Sequence, residues 1–101
     1  MRKSALGELL SPQLFKALGD PTRLAILRRL TQPGASCNVS EIAACCTVGL
    51  STVSRHLGVL ARAGILAGER RGQEVFYSLR ARELAGLLRR FADALEATRG
   101  R

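Results

Sequence analysis

Tryptophan is absent from this 101-residue sequence, and its few aromatic side chains are three Phe and one Tyr. Proteins that read single-stranded RNA stack bases on aromatic rings, so this composition does not favour that class. Aliphatic side chains must fill most of the hydrophobic core. No apolar run reaches the roughly 18 residues that a membrane-spanning helix needs, so we expect no membrane partner.

Signs of catalysis and of export are also missing from the sequence. There is one histidine, no glycine-rich phosphate loop, no Ser-His-Asp-like spacing and no carboxylate pair in a recognisable setting, so we expect no enzyme. The charged start of the chain, residues 1–8, is not followed by a long apolar stretch. We therefore expect no signal peptide and a cytoplasmic location. We also expect that folding requires no cofactor.

Acidic residues are half as frequent as basic ones. Eight Asp and Glu stand against sixteen Lys and Arg, which gives a formal charge of +8 and an isoelectric point near 11.0. A domain with an isoelectric point above about 9 is a candidate for binding nucleic acid. The alternative is an ordinary solvated basic surface, because composition does not show whether the basic residues share a face.

Cysteine occurs three times, as Cys37, Cys45 and Cys46. An odd number in a cytoplasmic protein argues against a disulfide framework, so the role of these thiols must follow from their positions. A chain of this length fits one domain, residues 1–101, with a modest core that a partner subunit would help to cover.

The apolar pattern predicts four helices, a β-hairpin and a last helix. Asp20 followed by Pro21 is typical of a helix start, and Gly64 of a helix end. The predicted elements are a first helix with leucines between Leu6 and Leu18 around Pro12, a second ending at Pro33-Gly34, a third capped by Asn38 or Ser40, a fourth over residues 50–63, strands 65–70 and 75–79 around the turn 71–74, and a last helix with its stripe over residues 84–95. This order, α-α-α-α-β-β-α, predicts a mostly α winged helix-turn-helix fold.

The fourth helix has the pattern of a helix that reads DNA. Val53, Leu57 and Leu60 share one side, whereas Arg55 and the small residues around it face the opposite side. Small residues let a helix enter the major groove, where Ser and Arg contact base edges or phosphates. We predict DNA contacts from Ser51, Thr52, Ser54, Arg55, His56 and Arg62. The alternative is an ordinary solvated face.

The hairpin carries basic residues at its tip, next to Gly72, which suits a turn with positive φ. Arg70 and Arg71 there can reach phosphates or the adjacent minor groove. We add Gln73, in the same turn, to the predicted DNA contacts. A solvated tip, with arginine for solubility, is the alternative.

Four stretches together resemble the ArsR/SmtB family of metalloregulatory repressors. They are residues 14–24 (LFKALGDPTRL), 54–60 (SRHLGVL), 63–66 (AGIL) and 75–79 (VFYSL), and the resemblance covers roughly residues 11–96. It implies a winged-helix homodimer joined through its first and last helices. It also implies a repressor of double-stranded operator DNA that leaves its operator when an inducer binds, with recognition helices in successive major grooves.

The last helix carries an apolar stripe that needs a cover, and a chain this small can use its partner for that purpose. With the interface that the resemblance implies, the expected dimer contacts lie on the first and last helices. They are Leu10, Leu14, Leu84, Leu87, Leu88, Phe91 and Leu95.

The inducer is the least determined feature. Family members that sense zinc or nickel use Asp and His ligands on the last helix, which here has acidic residues but no His. Those that sense arsenic use a cysteine pair on the third helix. Here Cys45-Cys46 lie at the end of that helix and Cys37 just before it, whereas Asn38-Val39-Ser40 occupy the place of the usual Cys-Val-Cys.

Geometry limits the role of Cys37. Eight helical residues span about 12 Å, whereas two thiolates on one ion lie at most about 4.6 Å apart. We expect As(III), Sb(III) or another thiophilic ion on Cys45 and Cys46, with Cys37 as a third ligand only if the helix starts late or unwinds. For the thiols, the alternatives are a redox or persulfide sensor and, for Cys46, the role of a buried small hydrophobe. For the protein as a whole, the alternatives are a winged-helix regulator without an inducer and an interaction or RNA-binding module.

Overall fold

The computed structural model describes residues 12–99, so Leu10 and the first part of the predicted first helix lie outside the described residues. The described elements follow the predicted order. They are α1 (Pro12–Leu18), α2 (Pro21–Arg29), α3 (Val39–Ala43), α4 (Leu50–Arg62), β1 (Leu66–Arg71), β2 (Glu74–Leu79) and α5 (Ala81–Arg99). The winged helix-turn-helix prediction is confirmed. None of the helices in this part of the chain is long and apolar enough to cross a membrane.

Side-chain hydrogen bonds from capping residues stabilise the starts of the second and third helices. Asp20 caps α2 by accepting a hydrogen bond from the Arg23 backbone N–H at 3.0 Å, and Pro21 occupies the first turn. Of the two predicted caps of α3, Asn38 is the one used. It forms a capping box with Glu41. Both helix starts are therefore fixed by residues within three positions of each other in sequence.

The third helix is shorter than predicted. It ends at Ala43, with Ala44 as its cap residue. Cys45 and Cys46 therefore follow the helix, and their backbone N–H groups still donate to Ile42 and Ala43 at 3.0 Å. The two cysteines lie in the segment that leads directly into α4.

The wing is an antiparallel hairpin whose strands extend one residue nearer the tip than predicted. Arg71 pairs with Glu74, which leaves Gly72 and Gln73 as the turn, and Gly72 has a φ of 66°. Cys37 extends this sheet by a single bridge. Its backbone N–H donates to the carbonyl oxygen of Tyr77 at 3.0 Å, and the Tyr77 N–H donates back at 2.8 Å. The segment before α3 is thereby fastened to the wing.

One aliphatic cluster forms the core beneath α4, and α5 lies at its margin. The buried residues are Leu14, Ala17, Ile26, Leu27, Leu30, Cys37, Ile42, Val53, Leu57, Leu60, Ile65 and Leu66. Leu14, predicted at the dimer interface, is only 8% exposed and belongs to the core of its own protomer. None of the described α5 residues is fully buried.

The apolar stripe of α5 divides into two parts. Leu84 and Leu87 pack against the core, and the Phe91 ring meets Phe15 of α1 edge-on, with ring centroids 5.7 Å apart. Leu88 and Leu95 remain 39% and 55% exposed. The second part is therefore the more exposed portion of the stripe.

Candidate nucleic-acid interface

The recognition helix α4 presents one side to the core and the other to solvent. Val53, Leu57 and Leu60 have no exposed surface, as the periodicity predicts. On the outer side, Ser51 and Arg55 are exposed. Arg55 has no hydrogen-bond or ion-pair partner among residues 12–99, so its guanidinium is available to a ligand. The other predicted contacts on this helix differ among themselves. Ser54 and Arg62 are exposed and Thr52 is half-buried.

Gly58 makes room on the outer side of α4. A Cβ atom at this position would lie 3.3 Å from Nη1 of Arg62, so the Arg62 guanidinium lies across the glycine. The absence of a side chain at Gly58 lets a long basic side chain lie flat along the helix. A flat basic surface suits close approach to the floor and walls of a major groove.

His56 faces the body of the protein. Arg23 Nη1 lies 3.1 Å from His56 Nδ1, and the same guanidinium donates to the carbonyl oxygens of Ala17 at 2.7 Å and Lys16 at 3.0 Å. Asp20 Oδ2 is 4.0 Å from His56 Nδ1, and the His56 side chain is 14% exposed. The predicted role of His56 in touching DNA is therefore not supported by its orientation. It joins α4 to the ends of α1 and α2.

This contact also affects Asp20. The backbone N–H of Arg23, together with the charges of Arg23 and His56, holds the pKa of the Asp20 carboxyl below its ordinary value despite partial desolvation. The ionised cap is the form that suits the N-terminus of α2. In the sequence, Asp20-Pro21 indicates the helix start, but nothing there indicates the contact of Arg23 and Asp20 with His56.

The two wing arginines have different surroundings. Arg71 pairs with Glu69 at 2.9 Å, donates to the Ser36 hydroxyl at 3.3 Å and lies 4.6 Å above the Phe76 ring centroid. Arg70 is exposed and has no such partner in the described part of the chain. Neighbouring residues of a strand point to opposite faces, so the hairpin holds one guanidinium and leaves the other free.

A groove separates α4 from the wing. It encloses a cavity of about 470 Å³, lined by Asn38, Val39, Ser40, Ser54, Gln73, Glu74, Val75 and Tyr77. Ser54 and Gln73, predicted as DNA contacts from different elements, thus lie on one groove. Asn38 also donates a side-chain hydrogen bond to Glu74, which fixes the α3 cap against the wing. Sequence reasoning found Asn38 as a cap but not its contact with the wing.

The three thiols are free, and they do not form one cluster. Cys37 is buried in the core, at 4% exposure. Among residues 12–99 there is no group of three His, Cys, Asp or Glu side chains placed to hold a metal ion. The bridge to Tyr77 holds Cys37 in the core and apart from Cys45 and Cys46, so its role as a third ligand stays a prediction that would require a rearrangement.

Cys45 and Cys46 remain as an adjacent pair. Cys45 is exposed, whereas Cys46 is half-buried and its thiol donates to the Ile42 carbonyl oxygen at 3.6 Å. Burial, with the neighbouring Cys45 charge, raises the pKa of the Cys46 thiol. The two thiols therefore differ in their access to solvent.

The sequence is similar to those of known transcription regulators with a helix-turn-helix domain. A family described as a helix-turn-helix domain matches residues 18–69. The transcriptional repressor SdpR of Bacillus subtilis is 36% identical over 66 residues, which cover 65% of this chain and 71% of SdpR. The arsenic resistance transcriptional regulator ArsR1 of Pseudomonas putida is 38% identical over 73 residues, which cover 71% of this chain and 56% of ArsR1.

The fold is also similar to solved structures. The crystal structure of an ArsR family transcriptional regulator aligns with a TM-score of 0.77 at 27% identity and covers 100% of this chain and 99% of that one. The similarity therefore includes the wing and α5 as well as the helix-turn-helix.

Proposed function

The chain belongs to the ArsR/SmtB family of winged helix-turn-helix transcription regulators, and from this premise we propose that it is a homodimeric repressor of double-stranded operator DNA. The observation that supports this role best is the outer side of α4. Arg55 there has no partner within the described residues and lies on the side opposite three fully buried residues. In this proposal the protein binds DNA and catalyses no reaction. It acts in the cytoplasm, where the operator lies.

The proposed division of labour follows from the side chains. Arg55 and Ser51 contact base edges, because arginine pairs bidentately with guanine in the major groove. Arg62, Arg70 and Gln73 contact the phosphate backbone or the minor groove and set the register of the protein on the duplex. Arg71 and His56 hold the wing and α4 in position.

A second copy of the chain covers the exposed part of the α5 stripe in this proposal. Leu88 and Leu95 lie seven residues apart on one side of the helix, a spacing that suits packing of paired helices. The contact between Phe91 and Phe15 packs α1 next to this part of α5. Two recognition helices then enter successive major grooves about one turn of DNA apart.

The test of this function is selection of duplexes from a random library by the full-length protein. We expect enrichment of an inverted repeat whose half-sites are about 10 base pairs apart, centre to centre. The selected duplex should bind at least a thousandfold more tightly than a scrambled one at the same salt concentration. Binding without enrichment would reduce the chain to a non-specific basic protein, and no binding would refute the proposal.

For the inducer, we propose a thiophilic species, As(III) or Sb(III), bound by Cys45 and Cys46. Thiolates select soft ions, the two thiols are adjacent and free, and ArsR1 of P. putida is named for arsenic resistance. Cys45 is exposed and the half-buried Cys46 thiol donates to the Ile42 carbonyl oxygen, so drawing both sulfurs onto one atom would move the Cys46 thiol and distort the segment before α4. A coupling of about 1–3 kcal/mol would weaken DNA binding five- to 150-fold.

Cysteine variants test the inducer separately from DNA binding. We expect arsenite and antimonite to release the parent from its operator, and Cys45→Ser and Cys46→Ser to abolish release while basal affinity is retained. The matched control is Cys37→Ser, which should keep the response because Cys37 lies in the core. Release at the parent's dose in both variants would remove the pair as the sensor, and a response to peroxide or persulfide alone would favour the redox alternative.

A further inference from the structure

Cys45 lies in a cavity on the side of the protein formed by α2 and the segment after α3. The cavity has a volume of about 470 Å³ and is lined by Ala25, Arg28, Arg29, Gln32 and Cys45. This volume falls in the range of small-molecule sites, about 300–1,000 Å³. None of these residues belongs to α4 or to the hairpin, so the cavity is distinct from the groove between α4 and the wing.

Both arginines of the cavity carry unneutralised charge. The guanidinium groups of Arg28 and Arg29 have no hydrogen-bond or ion-pair partner within residues 12–99. Arg71, Arg80 and Arg99, in contrast, each pair with a glutamate. Two cations without a partner in the described part of the chain line the same cavity as an exposed thiol, which favours a negatively charged reactant.

The neighbouring thiol, Cys46, is less accessible to a dissolved reactant than Cys45. Cys46 lines a smaller cavity of about 170 Å³ with Pro21, Thr22, Ala25, Cys45 and Thr47. Its thiol donates to the Ile42 carbonyl oxygen, and burial raises its pKa. Cys45 is the exposed thiol of the pair, so it is the one that a dissolved disulfide reaches first, and its thiolate form is the nucleophile.

We propose that Cys45 is a modification site that forms a mixed disulfide with a low-molecular-weight thiol carrying carboxylate groups, which Arg28 and Arg29 bind. The Cys45 thiolate attacks one sulfur of the corresponding low-molecular-weight disulfide. A new S–S bond forms as the old one breaks, and the leaving thiolate takes up the proton that Cys45 lost. The small disulfide supplies the oxidising equivalent, and no metal takes part.

This inference stands apart from the proposed operator binding and from the arsenic response. An uncharged trivalent arsenic hydroxide gains nothing from Arg28 or Arg29, whereas a carboxylate-bearing disulfide does. Loss of the two arginines should therefore slow the disulfide reaction and leave the arsenite response as it was. The adduct would occupy the cavity directly before the segment that leads into α4.

The experiment compares two small disulfides of opposite charge on the full-length protein. Oxidised glutathione is the anionic probe and cystamine the cationic one, and loss of the free Cys45 thiol is followed by peptide mass spectrometry. We expect oxidised glutathione to react about tenfold faster than cystamine at low salt. This preference should shrink toward one at high salt and in Arg28→Gln/Arg29→Gln.

The matched control is Arg89→Gln/Arg90→Gln on α5, which removes the same charge from two arginines outside the cavity lining. It should keep the preference for oxidised glutathione, which separates local binding from the net charge of the protein. Circular dichroism confirms that each variant is folded. Equal rates for the two probes in the parent, or equal loss of preference in both double variants, would overturn the proposal, as would reaction at Cys46 in preference to Cys45.

Discussion

At the scale of single residues, Arg55 is the side chain on which sequence readout depends. It is exposed on α4 and has no partner within the described residues. We expect Arg55→Ala to weaken binding to the selected operator about ten- to 100-fold, since one bidentate arginine contact contributes about 1–3 kcal/mol of discrimination. Affinity for a scrambled duplex should fall much less.

The check is a pair of titrations, on operator and on scrambled duplex, at one salt concentration. Arg82→Ala is the control, because Arg82 is exposed on α5, away from α4. If Arg55→Ala keeps the operator preference of the parent, base readout belongs to another residue.

Asp20 links pH to stability through the α2 cap. Its pKa in the folded protein is lowered, chiefly by the Arg23 backbone N–H. Unfolded Asp has a pKa of about 3.9, so the ionised cap stabilises the fold above that pH, and the contribution is lost as pH falls through the lower folded value. Asp20→Asn keeps a capping side chain but removes the titration.

We expect the thermal midpoint of the parent to fall more steeply below pH 4 than that of Asp20→Asn, with the two curves parallel above pH 5. Melting curves by circular dichroism at a series of pH values measure this difference. Curves that stay parallel down to pH 2 would show that the Asp20 carboxylate makes no ionised contact in the fold.

At the scale of elements, the hairpin separates two arginines that adjoin in sequence. Arg70 has no partner among residues 12–99, and Arg71 contacts Glu69, Ser36 and Phe76. We expect Arg70→Ala to reduce the slope of log affinity against log salt by about one, because one phosphate contact is lost. Arg71→Ala should leave the slope unchanged and lower affinity by loosening the wing.

The measurement is operator affinity at four or more salt concentrations for the parent and both single variants. Each variant is the control for the other, since both remove one positive charge from the same hairpin. Equal changes of slope would mean that the Arg71 contacts do not survive on DNA.

The order of elements could be predicted because helix starts and the hairpin turn are local. The Asp20 cap and the Gly72 turn each depend on residues within a few positions. The placement of Cys37 could not be predicted in this way, because its partner Tyr77 lies 40 residues away and pairs through backbone atoms. The same reason explains Arg71, whose contact with Ser36 spans 35 residues.

The helical wheel predicted the outer side of α4 but could not decide the role of a residue at its margin. His56 comes three residues after Val53 and lies about 60° from it around the helix, which is nearer the buried side than the exposed one. A residue at this margin can pack against the protein or contact phosphate, and the helical wheel alone does not decide between the two. The partners of His56 are Arg23 of α2 and Asp20, which caps α2, and only the packing of α2 against α4 brings them to it.

At the scale of the whole molecule, α5 is the element that the single chain leaves incomplete. It has 19 residues and, among those described, none that is fully buried. Its apolar side is partly exposed at Leu88 and Leu95. Burial of apolar surface contributes about 25 cal/mol for each Å², so an uncovered stripe of this kind favours association.

Leu88→Glu tests dimerisation more cleanly than a change at Phe91. Phe91 packs on Phe15 within one protomer, so a charge there would disturb the fold and the dimer together. Leu88 is 39% exposed, so we expect its replacement to leave the protomer folded and to place two like charges across the interface. Sedimentation at micromolar concentration should show dimers for the parent and monomers for Leu88→Glu.

Operator binding should be lost with the dimer, because a monomer engages one half-site and gives up the second recognition helix. Glu83→Gln serves as the control, since it alters charge on an exposed residue in the first turn of α5 and should remain dimeric. A parent that sediments as a monomer, or a Leu88→Glu variant that stays dimeric with full operator affinity, would place the interface elsewhere. The expected loss of both properties at once would show that α5 couples assembly to DNA recognition.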